Sequence, residues 1–304
     1  MERKTKPAKK PDLILTSDWH LREDQPKCRT DNFWEAQWKK VRFIRELQER
    51  YGCPVVHAGD MFHHWKPSPY LITMTLKHLP ENFYSVYGQH DLPQHNLDLA
   101  YKAGLSTLDT ARHQELLLSG VHFGKEPRKQ DSYVANLLLP ENKGRPILIW
   151  HRLVWAGYES PWPGCTDPHA QQVLKQYPEY DLIVTGDNHK PFVEHLNGKL
   201  LVNPGALTRQ EADEADRIPV VYLYYAKENE VGALRIPHEK GVVSREHIER
   251  KQQKDKRIEA FVSRLDTDFD TDSVSFEGNL DRFEKQNDIK SRVMEIVRGA
   301  IEDD

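Results

Sequence analysis

Side chains that commonly bind metal ions follow five short apolar segments of this 304-residue chain. They are Asp18 and His20 after the first segment, Asp60 after the second, Gln89, His90 and Asp91 after the third, His151 after the fourth, and Asp187 and His189 after the fifth. Gathered carboxylates would raise one another's pKa values unless cations neutralised them. Mixed imidazole and carboxylate donors suit manganese, iron or zinc, and two such ions can clamp a phosphate and activate a water between them.

The five segments are predicted to be buried strands because each is short, apolar and bounded by polar residues. In open α/β sheets, ligands bind beyond the carboxyl ends of the strands, so these segments would bring their polar residues to one edge. The predicted strands are 13–15, 54–57, 83–87, 147–150 and 182–185, and the predicted helices among them are 31–51, 68–79 and 168–176. Further strands are predicted at 192–196, 199–202 and 220–225, with antiparallel strands across 115–139.

The end of the chain has a different character. A highly charged stretch with helical periodicity covers 245–265, and two short amphipathic helices are predicted at 275–283 and 291–301. Their predicted apolar faces consist of Phe276, Leu280 and Phe283 in one helix and of Val293, Ile296, Val297 and Ile301 in the other. We therefore expect a disordered basic tail at 1–11, a catalytic domain at 12–240 and a charged helical extension at 241–304.

The composition excludes several classes of protein. A formal net charge of −4 provides no global cationic field, so any contact with nucleic acid needs a local basic patch or bound metal ions. The three cysteines form no CxxC pair, which argues against a disulfide framework or a structural zinc site. No apolar run is long enough to span a bilayer, and no signal peptide is recognisable. A cytoplasmic protein with no membrane partner, in a bacterial or phage-infected cell, is the expectation.

A series of short motifs carries a family resemblance. The ordered series Asp18-x-His20, Gly59-Asp60, Gly88-Gln89-His90-Asp91, His151 and Gly186-x-x-His189 resembles the signature of the calcineurin-like metallophosphoesterases. Each piece alone is weak, whereas five pieces in order, each after a predicted strand, are specific. The resemblance spans about two-thirds of the chain. It implies an α/β (α+β) fold, a four-layer αββα sandwich, here followed by a small C-terminal helical extension.

The resemblance also implies a role for each motif residue. Asp18, His20 and His189 would hold a first divalent ion, and Asp60 would bridge both ions. Gln89, His151 and Asp187 would stand where the family holds the second ion. His90 would lie over the phosphate as general acid or transition-state stabiliser, oriented by Asp91. A water activated between the two ions would then attack phosphorus in line.

Two residues depart from the family pattern, and both fall at the second ion. The family usually has Asn at the position of Gln89 and His at the position of Asp187. A carboxylate in place of an imidazole favours harder ions, so Mn²⁺ is the expected cofactor and Mg²⁺ the alternative. The departures are compatible with an adapted, working site or with a weakened second site.

A second resemblance narrows the family. The segment Asn203-Pro204-Gly205-Ala206-Leu207-Thr208-Arg209 and the helical end of the chain resemble features of SbcD-like DNA nucleases. This resemblance implies DNA as the substrate, a role in DNA repair or recombination, and an SbcC-type coiled-coil ATPase as the partner, with a homodimer as a further option. So compact a version would suit a phage or another mobile element. Polarity and the choice between exonuclease and endonuclease stay open.

Positive residues close to the motifs are candidates for binding flanking phosphates, namely Arg22, Arg152 and Arg209. His63 and His64 are equally compatible with substrate contact and with a solvated loop. Two other functions compete with the nuclease. One is a phosphatase or small-molecule phosphodiesterase of the same superfamily, and the other is a non-catalytic interaction protein with a degenerate second metal site.

Overall fold

The structure is a computed structural model that describes residues 9–118, 121–127, 145–267, 276–287 and 289–302. Its helices are α1 (Phe33–Tyr51), α2 (Pro69–His78), α3 (Gly104–Ala111), α4 (Ala170–Gln176), α5 (Glu246–Thr267), α6 (Phe276–Asn287) and α7 (Ser291–Glu302). Its strands are β1 (Leu13–Thr16), β2 (Val55–His57), β3 (Phe83–Ser85), β4 (Ile147–Trp150), β5 (Leu182–Thr185), β6 (Phe192–Leu196), β7 (Lys199–Asn203), β8 (Val220–Tyr225) and β9 (Glu230–Arg235). The chain forms two compact units, one ending at Ser244 and the other beginning at Arg245.

Two mixed sheets form the centre of the first unit. One has the order β3-β2-β1-β8-β9, with β1, β2 and β3 parallel and with β8 and β9 antiparallel to their neighbours. The other has the order β4-β5-β7-β6, with β4, β5 and β7 parallel and β6 antiparallel to β7. The parallel strands of each sheet therefore end at a common edge, where the predicted metal-binding residues follow them.

Alternation along the strands separates the layers of the fold. Leu13 and Leu15 of β1 pack in the core between the two sheets, whereas Ile14 packs in the core that also contains Val41 and Ile44 of α1. The other sheet behaves in the same way, because Ile147 and Ile149 join the core between the sheets and Leu148 packs with residues of α4. Period-2 side-chain geometry in a strand produces this division. The predicted four-layer αββα sandwich is confirmed.

Local sequence signals explain where the first helices begin and end. Asn32 caps α1 by accepting a hydrogen bond from the Glu35 N–H, and Gly52 ends the helix in the left-handed conformation. Ser68 caps α2 in the same way, directly before Pro69. These signals fix the direction of the chain as it leaves the metal-binding loops.

The structure corrects the prediction for residues 115–139. Leu117 and Val121 make single parallel bridges to Ser85 and Trp150 instead of forming antiparallel strands. The rest of the predicted stretch, at 119–120 and 128–139, lies outside the described residues. Strand β9 and helix α3 were not predicted, since β9 is largely exposed and α3 lacks a side-chain cap.

Helices α5, α6 and α7 make up the described part of the second unit. Leu280 is buried and the ring of Phe283 packs edge-on against Phe261, whereas the side chain of Phe276 lies outside the described set. Val293 and Ile296, from the predicted apolar face of α7, are exposed, and Met294 of the same helix is buried. Within the ranges described above, no helix combines the length and the apolar character that a membrane crossing requires.

Candidate metal centre

The loops that follow β1, β2, β4 and β5 are held together by short polar contacts. The N–H of Asp18 donates to Gly59 O at 3.0 Å, which joins the ends of β1 and β2. Two further contacts connect the sheets: His151 Nδ1 donates to Ala58 O at 2.6 Å, and the N–H of Asp187 donates to Asp18 Oδ1 at 3.0 Å. The predicted convergence of residues from separate strands is therefore present in the fold.

Four of the predicted metal-binding residues have left-handed backbone conformations. Their φ angles are 50° at Asp18, 45° at His20, 59° at Asp60 and 71° at Asp187. Such angles are uncommon for residues with a Cβ atom, and they concentrate at functional sites. The sharp turn after each strand brings the following side chain back toward the sheet edge.

The first predicted set of ligands is assembled in the structure. Asp18, His20 and His189 present ligand atoms that lie within 4.8 Å of one another. The Nε2 atoms of His20 and His189 are 3.2 Å apart, so two imidazole nitrogens face the same point. Neutral imidazoles suit this arrangement, and burial lowers the pKa of His20 well below its ordinary value.

Asp60 lies between two further groups of candidate ligands. It joins Asp18 and His151 in one group, and His20 and His90 in the other. Asp60 Oδ2 is 3.5 Å from His151 Nε2 and 3.6 Å from His20 Nε2. A carboxylate with this position can bridge two ions, which is the role implied for Asp60 by the sequence.

Asp60 and His151 shift each other's pKa in opposite directions. Burial raises the pKa of Asp60, but the charges of His151 and His20 lower it by more, so that it lies below its ordinary value. Burial lowers the pKa of His151, and the Asp60 carboxylate then raises it to about 10. Burial also raises the pKa of Asp18 to about 6. These carboxylates require positive charge beside them, which divalent cations supply.

Orphaned polar atoms show that a metal ion fits these residues. Asp18 Oδ2 and His151 Nε2 are buried and have no hydrogen-bond partner among the described residues. Buried polar atoms without partners destabilise a fold by about 1–3 kcal/mol each. Because His151 Nδ1 donates to a carbonyl, Nε2 carries the lone pair that a metal needs once the ring is neutral, and a bound cation favours that neutral form. The donor set is imidazole and carboxylate, in keeping with a site for divalent ions.

The structure corrects the role of Asp91 and leaves that of His90 open. Asp91 Oδ2 accepts the N–H groups of Asp60, Met61 and Gly88 at 2.9–3.2 Å, so its carboxylate organises the loop after β2. His90 is instead positioned by its own Nδ1, which donates to His63 O at 3.1 Å. The N–H of His90 also donates to Asp60 Oδ1 at 2.8 Å. The prediction that Asp91 orients the His90 ring is therefore wrong.

The two unusual residues of the second site contact each other. Gln89 Nε2 donates to Asp187 Oδ1 at 2.7 Å. Burial raises the pKa of Asp187, while the charge of His151 opposes that shift. Neither residue belongs to the compact ligand groups formed by the described residues. Their service as ligands stays a prediction.

Sequence reasoning missed Glu214, which supports His189 from behind. Glu214 Oε1 is 3.5 Å from His189 Nδ1 and accepts a hydrogen bond from Arg217 Nε at 3.0 Å. Its other oxygen accepts the N–H groups of Gln210 and Glu211. A carboxylate behind a metal-binding imidazole fixes the ring and raises its basicity. Glu214 lies in a short acidic stretch that resembles a solvated turn, so only the three-dimensional contact identifies it.

His63 is also brought to the centre. Its ring stacks on that of His90 at 5.8 Å between centroids and lies 6.0 Å from the His20 ring. His63, His90 and His189 line a small cleft of about 110 Å³ beside the ligand groups. His64 points elsewhere, since its Nδ1 accepts the N–H of Lys66.

The three candidate arginines have different surroundings. Arg209 is buried, and its guanidinium donates to Ala215 O and Glu239 O, so the prediction of a phosphate contact beside the metals is wrong for this residue. Arg22 pairs with Asp24 and is half-buried. Arg152 is exposed enough to meet a substrate, with Asp167 at 3.8 Å. Phosphate binding by Arg22 and Arg152 stays a prediction.

We expect Gly88→Ala to disrupt the centre. A Cβ atom at this position would lie 2.1 Å from Asp60 Oδ1 and 2.3 Å from the Asp60 backbone N, and the Asp60 loop is held in place by Asp91. Overpacking of this kind costs about 1–3 kcal/mol. Thermal denaturation with and without Mn²⁺ should show a lower Tm and a smaller Mn²⁺-dependent rise. Gly232→Ala is the control, because its nearest neighbour would be 3.8 Å away. An unchanged response to Mn²⁺ in Gly88→Ala would contradict this account.

We expect Glu214→Gln to weaken metal binding at His189. The amide keeps the size of the side chain but removes the charge that holds the imidazole. Loss of such an outer partner typically reduces metal affinity by about 10–100-fold. Calorimetric titration of the chelated protein with Mn²⁺ measures the effect, with the exposed Glu228→Gln as the matched control. Equal affinities in the two variants would show that Glu214 has no part in the site.

Comparison with known proteins identifies the family. The model of the calcineurin-like phosphoesterase superfamily domain matches residues 12–226, which include every residue of the ligand groups. The chain belongs to this superfamily. The phosphoesterase is thus metal-dependent, and its Asp and His groups fit the binuclear metal site typical of the superfamily.

Individual relatives of this calcineurin-like phosphoesterase are distant. It is 27% identical over 217 residues to the DNA double-strand break repair protein Mre11 of Haloferax volcanii, a match that covers 67% of this chain and 47% of the relative. The chain therefore spans about half the length of the curated relative it matches. Similar solved structures include an archaeal phosphodiesterase (15% identity, 73% of this chain and 98% of that one, TM-score 0.38). Another is a metallophosphoesterase from Sphaerobacter thermophilus, which is 15% identical over 75% of this chain and 89% of its own, with a TM-score of 0.34.

Proposed function

We propose that this calcineurin-like phosphoesterase is a DNA nuclease, the SbcD-like subunit of a DNA repair or processing complex. The observation that carries the proposal is the convergence of Asp18 and Asp60 from one sheet with His151 and His189 from the other, in overlapping ligand groups that share Asp18. The similarity to Mre11 supports DNA over other phosphodiesters, because it covers 67% of this chain. The SbcD-like segment takes part in the site, since Asn203 Nδ2 donates to the carbonyls on both sides of His189.

The chain's own residues provide binding, orientation and proton transfer. Two divalent ions, Mn²⁺ by preference and Mg²⁺ as the alternative, polarise a phosphodiester and activate water when bound. Asp18, His20 and His189 would hold one ion, and Asp60 with His151 would hold the other. His90 Nδ1 donates to His63 O, so His90 can also donate from Nε2 to a phosphate oxygen when its ring is in the imidazolium form. The proton at that atom serves either the leaving oxygen or the charge of the transition state.

The second compact unit supplies a surface for the proposed ATPase partner. Four apolar side chains of α5 and α7 are between 44% and 56% exposed, namely Ile258, Val262, Val293 and Ile296. Exposed apolar residues on neighbouring turns of a helix are typical of sites that dock another helix. An SbcC-type coiled-coil ATPase is the proposed occupant, and a second copy of this chain is the alternative.

Cleavage assays on DNA test the proposal directly. The chelated protein is supplied with Mn²⁺ or Mg²⁺ and incubated with linear duplex DNA, single-stranded DNA or the small diester bis(p-nitrophenyl) phosphate. We expect cleavage of DNA that depends on the ion and stops on addition of chelator. Hydrolysis of the small diester without any cleavage of DNA would favour the small-molecule phosphodiesterase. A folded protein that turns over neither substrate would be an interaction protein.

A further inference from the structure

A second cavity lies away from the metal ligands, at the start of α1. Its volume is about 450 Å³, larger than the cleft beside His90, and none of the metal-binding residues lines it. Its walls include the side chains of Arg29, Lys40 and Arg209, together with Asn32 at the N-terminal end of the helix. The proposed nuclease chemistry uses none of these groups.

Positive charge exceeds negative charge in the buried surroundings of this cavity. Three buried cations, Arg29, Lys40 and Arg209, line the cavity, and Arg217 is close enough that its charge lowers the pKa of both Lys40 and Arg209. Two carboxylates form ion pairs with these cations: Asp31 pairs with Arg29, and Glu214 pairs with Arg217. The acidic side chains on the outer rim are largely exposed and lie near other cations, Glu35 near Arg42 and Glu239 near Lys39. Two buried cations therefore form no ion pair with a carboxylate among the described residues.

The two uncompensated cations are Lys40 and Arg209. Lys40 is 5% exposed, and its Nζ donates to the carbonyl of Pro237 at 3.0 Å. Arg209 is 4% exposed and donates to carbonyls alone. Burial lowers the pKa of Lys40 to about 8, and the charges of Arg29 and Arg209 add to that shift. Burying a charge without an opposite partner is costly, so a bound anion would stabilise Lys40 and Arg209.

We propose that this cavity binds a phosphate dianion, separately from the metal centre. Two excess positive charges match the charge of a phosphate or of a terminal phosphomonoester, whereas a carboxylate or a backbone diester supplies one negative charge. The N-terminal end of the 19-residue helix α1 adds a favourable dipole. Thr208 and Gln210, on either side of Arg209, line the cleft beside His90, so the occupied cavity adjoins the active site through one short segment.

Binding of inorganic phosphate to the chelated protein tests the inference without any metal. At matched ionic strength, we expect phosphate to raise the Tm saturably by about 2–4 °C. Lys40→Met should abolish that rise, because it removes one of the two uncompensated charges while keeping the length of the side chain. Lys39→Met is the control, since Lys39 lies on the exposed rim beside Glu239, and it should retain the rise. Equal responses of the two variants, or no response of the native chain, would overturn the proposal.

Two further arms make the result independent of how well Lys40→Met folds. Crystals of the chelated native protein soaked in tungstate should show an anomalous peak within hydrogen-bonding reach of Lys40 Nζ, and an empty cavity would refute the site.

Short oligothymidylates with and without a 5′-phosphate identify the source of the anion. A rise in Tm with the 5′-phosphorylated strand would assign the site to a nucleic-acid end, and a rise with inorganic phosphate alone would assign it to free phosphate. A response to the unphosphorylated strand equal to that of phosphate would contradict the selectivity for a dianion. The assay needs no cleavage, so its failure leaves the proposed nuclease function untouched.

Discussion

Asp60→Asn should reduce phosphodiester hydrolysis by on the order of 10³-fold, more than any other single substitution at the centre. The reason is that Asp60 belongs to two ligand groups at once, with His151 on one side and His20 on the other. Asparagine keeps the shape of the side chain and an oxygen to accept the His90 N–H. It removes the negative charge that lets one carboxylate bridge two cations.

The same substitution should change metal binding in a countable way. Titration with Mn²⁺, followed by the electron paramagnetic resonance of the free ion, gives the number of ions bound per chain. We expect Asp60→Asn to bind at least one ion fewer than the native protein. Asp98→Asn serves as the matched control, because Asp98 is exposed, lies on the short helix Leu97–Lys102 and belongs to none of the ligand groups. Full stoichiometry together with native turnover in Asp60→Asn would remove the basis of the mechanism.

His90→Gln should lower kcat by about 10²–10⁴-fold while leaving the number of bound Mn²⁺ ions unchanged. His90 lies beside Asp60 and His20, but its Nδ1 is held by the His63 carbonyl and its Nε2 is free to act on the phosphate. Glutamine retains a donor without the acid strength of imidazole. His195→Gln on the exposed edge of β6 is the matched control.

The choice of substrate separates the two roles left open for His90. A general acid matters most for a poor leaving group, so the loss should be large on DNA and small on bis(p-nitrophenyl) phosphate. If His90 instead stabilises transition-state charge, His90→Gln should lower kcat by a similar factor on both substrates. Loss of a bound ion in His90→Gln would instead make His90 a metal ligand and would contradict both roles.

Local sequence patterns predicted the strands and the site because each motif follows directly from its own strand. Asp18, Asp60 and His151 each come within three residues of a strand end, so their meeting place depends on the parallel order of the strands and on the packing of the two sheets. The four-layer fold followed from the same pattern together with the family resemblance. Residue type and position along the chain were sufficient to predict these strands and the polar residues that follow them.

Contacts between distant segments account for the errors. Arg209 was expected to bind a flanking phosphate, but its guanidinium donates to the carbonyls of Ala215 and Glu239, the second of them 30 residues away. Asp91 follows His90 in sequence, yet its oxygens accept N–H groups from the loop after β2. Glu214 acts on His189 across a gap of 25 residues. Hydrogen-bond partners of this kind depend on where loops meet in space, which periodicity and motif spacing do not encode.

Anomalous diffraction at the manganese edge, from crystals of the native chain soaked in Mn²⁺, tests the central claim most directly. The account predicts two peaks, one among Asp18, His20 and His189 and one beside Asp60 and His151, with Asp60 close to both. Peaks confined to surface carboxylates, or no peak among these five side chains, would contradict it.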